Sequence, residues 1–128
     1  MGSTEPEQEL EFIKADQRSL LLRVSNEMVR LYKTQFGRGP TKVRTNWAGP
    51  DTLISTLENS LTPAERNMVA MGEHQRLRDT RMFFQYASEM EFREVVERLT
   101  GREVWAFVSG IDAGQDVSCE IFYLKPDR

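Results

Sequence analysis

The 128 residues contain one cysteine, Cys119, and one histidine, His74. A single cysteine excludes an internal disulfide framework and fits a reducing compartment. A single histidine without a cysteine cluster leaves a zinc-type site short of ligands, and no calcium-loop spacing of acids takes its place. No segment approaches the roughly 20 consecutive apolar residues that span a bilayer. The start, Met1-Gly2-Ser3-Thr4-Glu5-Pro6, lacks the basic residues and apolar run of a secretory signal. Basic excess is missing too: the net charge is -3, whereas generic nucleic-acid binders are strongly positive. These absences predict a cytoplasmic protein with no transmembrane segment, no specific nucleic-acid partner, and no catalytic, cofactor or metal site.

What is present is periodicity. Residues 1–7 read as a disordered start, and 8–125 as one domain. From Gln8 to Phe36 the spacing of Ile13, Leu20, Val24, Met28 and Leu31 lines one face of a helix. Acids near its start and bases near its end suit the helix dipole; Gly37 and Pro40 stop it. Lys42 to Ala48 alternates, with Val43, Thr45 and Trp47 opposite Lys42, Arg44 and Asn46. Gly49-Pro50-Asp51 then turns the chain into a second strand, Thr52 to Glu58. Thr62-Pro63-Ala64-Glu65 spells a capping box with proline at the first helical position. Helix is expected from there, bending near Gly72 and running on from Glu73 to Thr100, with Phe83, Phe84 and Met90 on its broad apolar side. Gly101 ends it, and a second hairpin follows, Glu103 to Ile111 and Asp116 to Leu124. The first of these strands reads as Val104, Ala106 and Val108 against Trp105, Phe107 and Ile111. The order predicts an α+β two-layer sandwich, αββαββ, in which long helices cover one face of a four-stranded antiparallel sheet.

Candidate sites are few. Gly37-Arg38-Gly39-Pro40 follows a helix, whereas phosphate-cradling loops precede one, so a cap and turn is the better reading. From Arg30 to Pro50 there are five bases (Arg30, Lys33, Arg38, Lys42 and Arg44) and no acid. That island suits an anion or an acidic partner surface, or the charge protection of a sheet edge. Arg38, Gly39, Pro40, Lys42 and Arg44 are the candidate partner- or anion-binding surface. Cys119 alternates with Val117, Ile121 and Tyr123, as a buried small apolar residue does. Asp112 and Asp116 flank a turn, where aspartates are routine. The first helix, at about 29 residues and about 43 Å, is too long for a body this small to cover. Its stripe of Ile13, Leu20, Val24, Met28 and Leu31 is therefore the expected interface of a homodimer.

Three segments taken in order, Gly37-Arg38-Gly39-Pro40, Leu61-Thr62-Pro63-Ala64-Glu65 and Leu99-Thr100-Gly101, resemble the MpsC-like family over residues 10–124. The family is named for the third component of a bacterial Na+-translocating, membrane-potential-generating system. The resemblance implies a small protein without enzymatic activity that serves a membrane system moving ions or inorganic carbon. Its partner would be a membrane transport subunit, and its place the cytoplasm, peripheral to the inner face of the membrane. Members often carry His-x-Asp before an isoleucine in the last hairpin. The corresponding stretch here, Val108-Ser109-Gly110-Ile111, lacks both side chains, so an activity that needs them is lost or altered. A small-anion or nucleotide-sensing module is the alternative function.

Overall fold

The computed structural model describes residues 6–127. The expectation of disorder for 1–7 lies outside the described residues at 1–5, while Pro6 and Glu7 already belong to the first helix. In order, the elements are α1 (Pro6–Phe36), β1 (Lys42–Trp47), β2 (Thr52–Glu58), α2 (Pro63–Ala70), α3 (His74–Ala87), α4 (Glu89–Thr100), β3 (Val104–Asp112) and β4 (Val117–Leu124). Each strand pairs antiparallel with its neighbours in the order β1-β2-β4-β3. The helices pack on one face of this sheet, giving the α+β sandwich that the alternation of the strands predicts.

Local chemistry sets the helix limits. Gly37 takes φ 80 after α1, a backbone region open to glycine at little cost. At α2 the Thr62 hydroxyl accepts from the Glu65 amide at 3.2 Å and the Glu65 carboxylate accepts from the Thr62 amide at 2.9 Å, so two otherwise orphaned donors are satisfied. Gly101 caps α4 in the left-handed conformation.

Two expectations need correction. The helix foreseen from Glu73 to Thr100 is two helices, broken at Ser88. The break lets α3 lie on β3 and α2 while α4 turns onto α1 and β3. Phe83 and Met90, which a straight helix would have placed on its apolar side, end up 70% and 74% exposed. The inner and outer residues of β3 also differ from simple alternation. A bulge between Val104 and Ala106 puts Val104 on the covered face with Phe107, and moves Trp105 to the other face beside Tyr123, ring centroids 5.7 Å apart. One extra residue in a strand reverses the phase of everything before it.

The main core joins Val24, Met28, Leu31 and Tyr32 of α1 to Phe92, Val95 and Val96 of α4 and to Leu53, Leu57, Phe107 and Phe122 of the sheet. Four of the five residues expected at a dimer interface take part in this core or lean on it. Val24, Met28 and Leu31 are buried within their own chain, because the sheet and α4 lie beneath the second half of α1. Leu20 is half-buried against the same core, and Ile13 alone of the five is exposed. Residues 6–19 of α1 are exposed throughout, and form an arm of about 21 Å.

Candidate functional site

The two faces of the sheet have unequal cover. On the covered face, strand register aligns Thr45, Ser55, Glu120 and Ser109 in one rung across all four strands. All four are buried, Glu120 completely. The Ser25 hydroxyl of α1 bonds Thr45 at 2.7 Å, and Thr45 bonds Ser55 at 2.8 Å. Farther along, the Glu120 carboxylate oxygen Oε1 accepts from the Tyr32 hydroxyl at 2.6 Å, from Ser109 Oγ at 3.0 Å, and from the Gln85 side-chain amide. Its Oε2 and the Gln85 carbonyl have no hydrogen-bond partner. Burial pushes the Glu120 carboxyl up to about 7, although the three donors pull the other way. Burial, followed by the neighbouring carboxylate, raises Tyr32 well above the ordinary phenol range. The rung thus ties α1, α3, β3 and β4 together around an acid that titrates near neutrality.

A second polar cluster sits where α2 meets α3. Arg81 is 2% exposed. Its guanidinium bonds Glu65 at 2.6 and 2.7 Å and the Ser60 carbonyl at 3.1 Å, and lies 3.7 Å from the centre of the Phe36 ring. Burial pushes the Glu65 carboxyl up, but the Arg81 and Thr62 bonds outweigh it and hold the group below its usual range. This pair fixes the capping box to the helix behind it. The arrangement is structural, since the guanidinium faces protein on every side.

The expected binding surface is divided by the structure. Arg38 donates to the Asn59 and Leu61 carbonyls at 2.6 and 3.0 Å, so its charge stitches the loop after α1 to the end of β2. Gly39 lies where an added Cβ would come within 3.2 Å of Val29; close approach to α1 favours glycine there. Pro40 is half-buried next to it. Lys42 and Arg44 are different. Both are exposed on the uncovered face of β1, and reach Glu58 only at 3.7 and 3.8 Å. Exposed pairs of this length contribute little to stability.

Beyond β1 the middle of that uncovered face is apolar, between Thr52 and Thr56 of β2 and Asp112 of β3. The register runs Asn46, Ile54, Ile121 and Val108 across the strands, with Tyr123, Ala106 and Trp105 next to them. Trp105 is 58% and Val108 44% exposed. Cys119 belongs to this face and is half-exposed, not buried as its alternation suggested; burial and the adjacent Glu120 charge raise its thiol. Asp112 serves its own turn, accepting from the Gln115 amide at 3.0 Å, whereas Asp116 reaches out of the turn and accepts from the Ser60 amide at 2.9 Å, just past β2. His74 lines an open depression of about 330 Å³ with Arg78, Asp112 and Gly114. Among the described residues no group of three or more His, Cys, Asp or Glu could hold a metal ion, and no helix is long and apolar enough to cross a membrane.

A family model described as "Na+-translocating membrane potential-generating system (MpsC)" matches residues 16–126. The chain belongs to the MpsC family. No curated protein and no solved structure matches it. The matched region begins inside the exposed arm of α1 and takes in every strand and the later helices. MpsC membership links the chain to a sodium-translocating, potential-generating membrane system. Within this MpsC protein, Ser109 of the stretch Val108–Ile111 points inward to Glu120 and Val108 points outward. The Glu120 network was not foreseen from the sequence. The signal was there: Glu120 alternates in phase with Phe122 and Leu124, which marks it as inward-facing.

Proposed function

We propose that this protein is a non-enzymatic accessory or regulatory component of a bacterial membrane system that translocates ions or inorganic carbon, acting from the cytoplasmic side by protein–protein contact. The observation that carries the reading is the uncovered sheet face. A contiguous apolar patch rimmed by polar residues is characteristic of an interaction surface, and Ile54, Trp105, Val108, Ile121 and Tyr123 form one with Lys42 and Arg44 at its margin. The inward polar groups support the same reading: Arg81, Glu65 and Arg38 bond to protein, and Glu120 lies under three elements without access to solvent.

The test is affinity capture of the tagged full chain from detergent-solubilised membranes of its own host. A polytopic subunit of an ion- or carbon-translocating assembly should come down with the wild type and be lost with Lys42→Glu/Arg44→Glu. Unchanged recovery in that variant removes the surface. Absence of any such subunit from the wild-type capture removes the function.

A further inference from the structure

Two apolar surfaces have no cover among the described residues, and they match. One is the open sheet face. The other is the arm, residues 6–19 of α1, whose Leu10 and Ile13 are 51% and 56% exposed. By helical spacing, Leu10, Ile13 and Gln17 prolong the very stripe that Leu20, Val24 and Met28 bury farther along. The arm last touches its own body where the Trp47 indole donates to Gln17 at 3.1 Å. It cannot fold back onto its own open face, because α1 is one unbroken helix packed on the opposite side of the sheet.

Charge and length fit as well. The arm begins acidic, with Glu7, Glu9 and Glu11, and the open face is bordered by the exposed bases Lys42 and Arg44. Its 14 or so residues extend about 21 Å, enough to cross four strands whose outer members are about 14 Å apart.

We propose that the arm of each copy lies across the open sheet face of a second copy, reciprocally, with Leu10 and Ile13 covering Ile54, Ile121 and Val108 and with Glu7 and Glu9 meeting Lys42 and Arg44. This rests on the reading of that face as a contact surface and puts a second copy on it, so that the exchanged dimer is the form that meets a membrane subunit. The exchange gives a two-fold symmetric dimer in which one kind of contact is made twice. It also supplies the second helical layer that a sheet apolar on both faces calls for.

The sole cysteine makes the test direct, since Cys119 lies on the open face one rung from Ile121. Purified full chain should sediment as a dimer. Ile13→Cys, at an exposed position that leaves the core intact, should form under mild oxidation a covalent dimer whose linked peptides contain residues 13 and 119. Ile13→Cys/Cys119→Ser, checked for native circular dichroism, should not crosslink. Lys42→Glu/Arg44→Glu should weaken the dimer about tenfold or more, and adding Glu7→Lys/Glu9→Lys should restore it. A monomer at every concentration overturns the proposal, as does a 13-to-13 crosslink that survives loss of Cys119, which would place arm against arm. The functional reading fails separately: a dimer with these crosslinks that captures no membrane subunit refutes the accessory role and leaves the exchange intact, whereas a monomer that captures one does the reverse.

Discussion

The two faces of the sheet contradict the simplest rule of burial. Under the helices, buried, runs a rung of hydroxyls and one carboxylic acid: Thr45, Ser55, Glu120 and Ser109. On the side without helices the matching rung is Asn46, Ile54, Ile121 and Val108. The inner rung survives because its members bond one another and the side chains of α1 and α3, so that burial leaves few groups unpaired. It fixes α1 and α3 to the sheet at one register, since a shift of either breaks several bonds at once. The outer rung lacks such a lock and has apolar area to offer. The contrast teaches that one sheet can bury a polar rung under its helices and leave the matching apolar rung open on the other side.

The comparison can be broken most severely at Glu120. Glu120→Ala strips the acceptor from Tyr32, Ser109 and Gln85 and opens a cavity. It should destabilise the protein by about 4 kcal/mol in denaturant titration, and a loss below about 1 kcal/mol would mean that the rung does not hold the helices.

A milder perturbation is pH. The folded-state carboxyl of Glu120 is raised to about 7 from an ordinary value of 4.5. Its contribution is therefore complete below pH 4.5 and is lost as pH rises through about 7, up to about 3 kcal/mol in all. Glu65, held below its usual range, acts oppositely: its contribution is present above the ordinary carboxylate pKa and is lost as pH falls through the lowered value. The difference between wild type and Glu120→Gln across pH 4.5–8 isolates the first effect, and a flat difference curve would refute it.

Ser55→Ala, at the middle of the rung, leaves Thr45 with only Ser25 and should cost about 1 kcal/mol in the same titration. Val108→Lys on the outer face should change stability by less than about 0.5 kcal/mol, measured at low protein concentration. A large loss there would show that the outer face is part of the core after all. Phe107→Lys, one residue away but inward, is the control and should prevent folding.

Much of this architecture is legible in the residues. Thr62 and Glu65 announce the start of α2, Gly101 the end of α4, and alternation in β1 sorts Lys42 and Arg44 from Val43, Thr45 and Trp47, as found. Misreadings occur where local pattern and packing diverge. No proline or glycine marks the break at Ser88, which arises because α3 and α4 lean on different neighbours. The bulge at Trp105 leaves no trace in composition, yet inverts the start of β3. Arg38 looked like part of a free basic surface because sequence gives charge and not the carbonyls that Asn59 and Leu61 bring to it.

The sequence by itself determined the strands, the first helix, the start of α2, the chain order and the sandwich, because capping and hydrophobic periodicity act over a few residues at a time. Only the tertiary structure decided which half of α1 is buried, that Glu120 meets Tyr32, Gln85 and Ser109, and that one apolar sheet face stays open. Those outcomes depend on contacts between residues far apart in the chain, such as Tyr32 and Glu120, whose encounter no local pattern encodes.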